Sequence, residues 1–270
     1  MQSITLSECF RGAWRDTGRA LQKMPLLILV IFVLLLAAEC FRDRLQISSQ
    51  LSAESSSKVV FGLFSFGIAI LSAIVASILS VKVIRYSLFG DTPPNGDGAL
   101  RRYLLLLLIT TVGFIVFLLA AVAVIVGLIF AMKRGGFAHG STRQMLTISA
   151  LIYALAICAG IFVCGRLSLL FPHAAAGGKL LWRHAWQDTR GHFWVVIATF
   201  FLTTLPIMIV SGSLGFLRLY AVTHFDASGL TYDIAAFLSS AATVLSVVTA
   251  GACSAWVYRR FARELHLSAA

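Results

Sequence analysis

Apolar residues run through the 270-residue chain in six long blocks separated by short polar intervals. The blocks are Pro25–Phe41, Val59–Ile84, Leu104–Met132, Met145–Arg166, Phe193–Leu217 and Ile234–Tyr258. A helix rises about 1.5 Å per residue, so about 17–25 apolar residues cross a hydrocarbon layer. Each block therefore predicts a transmembrane helix. The first sits at the lower limit, and the third, at 29 residues, must tilt or run into the interface. A cleaved signal is the alternative for the first block, because Ala37 and Ala38 are small and a basic region precedes them. The 24 residues before it form a patterned amphipathic segment rather than a short leader, and Glu39 before Cys40 spoils a lipoprotein cleavage box. The block is read as a retained helix.

The polar intervals carry their own periodicity. Thr5 and Glu8 form a Thr-x-x-Glu capping box that starts a helix. Phe10, Ala13, Trp14, Thr17 and Leu21 then share one face, while Arg11, Arg15, Arg19 and Lys23 recur every four residues on another. This spacing predicts an amphipathic helix at the membrane interface, with Trp at headgroup depth and Arg toward lipid phosphate. A second such helix is expected with Trp182, Ala185, Trp186, Thr189 and Phe193 on its apolar face and Arg183 and Arg190 toward phosphate, and a third around Arg101.

Two of these segments resemble each other. Ala13-Trp14-Arg15-Asp16-Thr17 and Ala185-Trp186-Gln187-Asp188-Thr189 match at four of five positions, 172 residues apart, and the same shift carries the second apolar block onto the sixth. Arg85-Tyr86-Ser87-Leu88-Phe89 is echoed more weakly by Arg166-Leu167-Ser168-Leu169-Leu170-Phe171. The simplest account is a parallel repeat of three units, about 1–84, 85–166 and 167–260, followed by a short tail, 261–270. The chain is then one all-α integral membrane domain over 1–270. Its six transmembrane helices form three hairpins, each preceded by a short amphipathic interfacial helix. Asp16 and Asp188 hold equivalent places. A carboxylate buried near the interface needs a partner, so each is expected to meet an Arg or a helix N-terminus.

Composition agrees with this class. The chain is 59% hydrophobic and 12% charged, half the charge of a soluble domain, with a mean hydropathy of +0.90. The excess of 22 Lys and Arg over 11 Asp and Glu lies at block edges rather than on a basic stripe with interleaved aromatics. It therefore points to anionic phospholipid, not to nucleic acid. Segments before the first block, between the second and third, between the fourth and fifth, and after the sixth hold 15 of these cations; the alternate loops hold 7. The positive-inside rule puts both termini in the cytoplasm of a bacterial inner membrane. The five cysteines show no CxxC spacing, so neither a disulfide framework nor a zinc site is expected.

Candidate chemistry is sparse. His184, Asp188 and His192 fall at i, i+4 and i+8, as metal ligands on one helix face would, but Gly191 is expected to break the helix first. No Gly-x-Ser-x-Gly elbow, phosphate loop or dinucleotide fingerprint occurs, and Gly212-Ser213-Leu214-Gly215 has the wrong spacing. The glycines at 135, 136 and 140 and the pair Gly177-Gly178 read as turn residues. Pro206 kinks the fifth block and removes the partner of the Leu202 carbonyl, a deficit Thr203 or Thr204 would fill. Small-residue stripes, Ser65-Ala69-Ala73-Ser77 and Ala242-Ser246-Ala250-Ser254, predict close packing between the second and sixth helices. No ionisable residue lies at the middle of a block, and Glu39, Lys82 and Arg166 stand near edges. A coupled carrier usually needs a charge at depth.

The run from Arg166 through Pro172 to Trp186-Gln187-Asp188-Thr189-Arg190-Gly191-His192-Phe193-Trp194 resembles the segment before the fifth helix of the YciC-like bacterial inner-membrane proteins. It is similar also to the membrane-anchor domain of glycerophosphodiester phosphodiesterases. The resemblance implies a six-helix arrangement and little about activity; the phosphodiesterase barrel and its metal-binding carboxylates have no counterpart here. The expectation is a non-enzymatic scaffold or modulator, without cofactor, that engages anionic lipid or another membrane protein. Arg11, Arg15, Arg19, Arg183 and Arg190 would meet phosphate, and Trp14, Trp182 and Trp186 would set depth. The alternatives are an uncoupled transporter or channel around the Pro206 kink and a lipid-acting interfacial enzyme using His184 and Asp188.

Overall fold

The computed structural model describes residues 6–51, 55–91, 98–134, 142–224 and 230–262. Among them the chain is helical without strands: α1 (Leu6–Lys23), α2 (Pro25–Leu51), α3 (Ser55–Phe89), α4 (Ala99–Arg134), α5 (Thr142–Leu167), α6 (Leu170–Ala175), α7 (Trp182–Asp188), α8 (Phe193–His224) and α9 (Leu230–Phe261). Each predicted apolar block lies inside one of α2, α3, α4, α5, α8 and α9. The helices outrun the blocks because a hydrogen-bonded backbone continues into the interface, where polar side chains are tolerated. All six are long and apolar enough to cross a membrane. They leave large apolar side chains uncovered along their lengths, among them Leu63, Leu119 and Phe216. In water such a continuous apolar surface would be a strong liability; against acyl chains it carries no penalty. The chain is a multi-pass membrane protein.

α2 packs on α3, α4 on α5 and α8 on α9. The last described helix is the hub: α9 touches α1, α2, α3, α6 and α8. Its apolar centre, Val244, Val248 and Ala252, meets Leu79 and Val83 of α3 and Ile31 and Leu35 of α2. The α4–α5 hairpin sits to one side, joined through α3, α6, α7 and the start of α8.

The small-residue stripes pack less evenly than their spacing suggests. On α9 Ala242 is buried, but on α3 only Ser77 is, and Ala69 and Ala73 are exposed. The close α3–α9 approach is elsewhere, where Gly251 meets Val83 and the Ser80 carbonyl. Leu79 and Val83 of α3 pack there against Val244, Val248 and Ala252 of α9.

α1 is docked, not laid free on a lipid surface. Its buried side is Cys9, Ala13, Asp16, Thr17 and Ala20, against α9 and α8. Of the face expected from sequence, Ala13 and Thr17 are buried, while Phe10 is exposed and Trp14 and Leu21 only partly covered. Gly12 allows the contact: a Cβ there would stand 2.3 Å from the Trp256 indole nitrogen. Pro25, with no N–H to lose, opens α2, and Met24 N–H bonds the Ala20 carbonyl at 3.1 Å. The two helices join with little loss of hydrogen bonding.

The helix expected around Arg101 is not a separate element: Arg101 stands in the first turns of α4, which runs unbroken from Ala99. Residues 92–97, Thr5 of the capping box, the glycines at 135, 136 and 140, and the tail beyond Ala262 lie outside the described residues.

Candidate functional site

The polar chemistry gathers at one end of the bundle, where α1, α6, α7, the start of α4 and α8 and the finish of α5 and α9 meet. Local sequence builds it. Thr17 and Thr189 each turn the hydroxyl back onto the helix, to the Ala13 carbonyl at 2.8 Å and the Ala185 carbonyl at 3.0 Å. Both threonines, both alanines and both aspartates, Asp16 and Asp188, are buried, so the two matching pentapeptides adopt one local geometry. They diverge beyond it. α1 continues to Lys23, whereas α7 stops at Asp188 and the chain turns through Gly191 at φ +87°. His192 therefore leaves the α7 face that carries His184 and Asp188, as Gly191 predicts. Its ring lies instead against Phe261. Among the described residues no group of three potential metal ligands converges.

Asp16 meets the partner that its burial demands: Arg259 at the end of α9 donates to its Oδ2, and Arg19 stands 3.9 Å away. The pair joins positions 243 residues apart. Asp188 is equally buried, and its charge reaches Tyr258. Tyr258 in turn bonds His173 Nδ1 at 2.9 Å in the core. The chain passes over that imidazole at Gly178, where a Cβ would fall 2.2 Å from His173 Nε2. Arg102 of α4 closes the layer by donating to the carbonyls of Gly177 and Gly178. Cys9 is buried beside this layer, and burial pushes its thiol above the ordinary range.

The residues expected at the lipid interface divide into two kinds. Arg11, Arg15, Arg19, Arg183 and Arg190 are exposed, as are Trp182 and Trp186. Trp14 differs: it is half-buried beside Phe10, and its indole N–H is shielded with no hydrogen-bond partner.

Near Pro206 the helix runs on without a break. Thr204 donates to the Phe200 carbonyl at 2.7 Å rather than to that of Leu202, because an i−4 acceptor is the one its rotamer reaches. Thr203 is buried, and its hydroxyl faces the Cys253 thiol of α9 rather than the Leu202 carbonyl.

Arg166 is the residue that sequence reasoning under-read as a charge near a block edge. Its guanidinium carbon lies 5.2, 5.4 and 5.5 Å from the ring centres of Phe162, Trp186 and Phe193. Each such contact stabilises a cation by about 0.5–2 kcal/mol, more as water is excluded. The rings do not replace oxygen acceptors for the N–H groups. Nε and Nη1 are shielded and unbonded, an omission costing about 1–3 kcal/mol per donor. Phe162, four residues earlier on the same helix, is the one signal the sequence offered. Trp186 and Phe193 come from α7 and α8, and only the tertiary fold brings them in. A groove of about 480 Å³ adjoins, lined by Cys158, Ile161, Phe162 and Arg166 of α5 and by Gly191, Phe193, Trp194 and Ile197 at the start of α8.

No family model, no curated protein and no solved structure matches this chain, so the function of this end of the bundle is read from its own residues.

Proposed function

We propose that the protein is a non-enzymatic scaffold or modulator of the bacterial inner membrane, of the YciC-like kind, whose polar end engages anionic phospholipid in the cytoplasmic leaflet. What supports this reading is the division of labour on α1. The carboxylate and small residues face the protein, and Arg11, Arg15 and Arg19 are left outward, with Arg183 and Arg190 exposed around α7. With Arg259 held by Asp16, these five exposed arginines stand at the surface for lipid phosphate. Each basic residue near an anionic leaflet is worth about 1 kcal/mol. Trp182 and Trp186 fix the depth of the same surface, and both chain ends lie in the cytoplasm.

The test is charge reversal. Arg11, Arg15 and Arg19 changed together to Glu should lower the phosphatidylglycerol that co-purifies in mild detergent while the protein still inserts. Unchanged lipid content and unchanged assembly would sink the reading.

A further inference from the structure

The groove between α5 and α8 combines two features. Cys158, Phe162 and Arg166 recur every four residues on α5, so the lining runs roughly 12 Å along the helix. At one end stands Arg166, held by three rings. Ile161 and Ile197 line the stretch away from it. The helices meet at the Arg166 end, where a Cβ on Gly165 would touch Phe193 and Ile197 at 2.8 Å. Farther along, Leu151 and Leu155 of α5 and Phe201 of α8 are uncovered, so the groove opens toward hydrocarbon.

Charge at the head of the groove is unbalanced. Among the described residues Arg166 has no carboxylate partner, and its Nε and Nη1 have no acceptor. Beside it lies the beginning of α8, whose first turn lines the same groove. Val196 is the first to bond back, to the His192 carbonyl, so the earlier N–H groups add positive potential there. A cationic head, an aromatic collar and an apolar channel open to the bilayer have the form of one phospholipid. The guanidinium offers a fork of donors to phosphate oxygens.

We propose that this groove is a discrete site for a single anionic phospholipid, with its phosphate on Arg166 and an acyl chain along Cys158, Ile161 and Ile197. The site rests on the reading of the polar end as facing an anionic leaflet, but not on the arginines of α1. A purely structural Arg166, satisfied by its rings, would show no headgroup preference.

The test uses the full chain in detergent, with native mass spectrometry after titration with dioleoyl phosphatidylglycerol or dioleoyl phosphatidylcholine. One phosphatidylglycerol should be retained with about a tenfold preference over phosphatidylcholine, a factor worth about 1.4 kcal/mol. Arg166→Gln should abolish that preference. Cys158→Trp, which fills the apolar channel without touching the guanidinium, should lose the retained lipid and decides the matter if Arg166→Gln does not fold. The triple Glu variant of α1 should keep the single tight lipid while losing looser ones, so either proposal can fail alone. Retention at wild-type occupancy in Cys158→Trp or in folded Arg166→Gln would overturn the site. So would the absence of a preference in the wild type, or displacement of the lipid by millimolar inorganic phosphate, which would mark a soluble anion as the occupant.

Discussion

Two glycines of α1 offer a controlled test of how that helix is seated. A Cβ on Gly12 would lie 2.3 Å from the Trp256 indole nitrogen and 2.9 Å from its Cδ1, whereas a Cβ on Gly18 meets nothing within 4 Å. Ordinary contact begins near 3.4 Å, so Gly12→Ala must move the indole by about 1 Å. Trp256 is itself buried among Cys9, Ala13 and Cys253. Overpacking of this kind costs about 1–3 kcal/mol. Both substitutions gain the same helix propensity, about 0.8–1 kcal/mol, which cancels when they are compared. The difference between the variants therefore isolates the clash. Gly18→Ala should hold or raise stability, and Gly12→Ala should fall below it by about 2 kcal/mol. For a chain of this size that is roughly 4–8 °C in Tm. Thermal melting in one detergent at one scan rate reads the difference, since membrane-protein unfolding is rarely reversible. In a Trp256→Leu background the two variants should converge, because neighbours that share a contact are not additive. Equal melting of Gly12→Ala and Gly18→Ala in the wild-type background would refute the docking of α1 on α9.

Asp16→Asn removes the partner of Arg259. The Arg259 and Arg19 side chains are 43% and 60% exposed, so the loss is about 1–2 kcal/mol rather than that of a fully buried pair; an unchanged Tm would contradict the pairing. Gly178→Ala drives a methyl into the His173 ring and should cost about 1–3 kcal/mol, while Gly90→Ala, with open space at its Cβ but a positive φ, reports backbone strain alone; equal losses would dissociate His173 from this turn. Burial raises the Cys9 pKa, so the folded state keeps its proton where the unfolded thiol loses it. That contribution to stability is full below the ordinary thiol range and is lost as pH rises from there through the higher folded pKa. With Cys9 as sole cysteine, alkylation at about pH 8 should be far slower in mild detergent than in SDS, and equal rates would exclude the buried thiol.

The transmembrane helices were legible because hydrocarbon imposes a one-dimensional rule: a long apolar run leaves its backbone no alternative to a helix. The Asp-Thr motif was legible for a similar reason. A buried carboxylate must find a cation, and Asp16 finds Arg259. Sequence did not reveal which cation, because the pair spans 243 residues and depends on how α9 is seated. The same gap hid the Arg166 collar, assembled from α5, α7 and α8, and the His173–Tyr258 bond across 85 residues. Periodicity misjudged the buried side of α1 because it ranks side chains by hydrophobicity. The docked face is chosen by size instead: Cys9, Ala13 and Ala20 fit against α9, and the bulky Phe10 stays outside.

The position of α9 as hub has a consequence for biogenesis. During synthesis α1, α2 and α3 leave the ribosome long before the helix they pack against. Until α9 is threaded into the bilayer, Asp16 waits without Arg259 and the inner surfaces of α2 and α3 face lipid. A stalled nascent chain would thus display a carboxylate with only Arg19 beside it and seams that acyl chains, rather than α9, must fill.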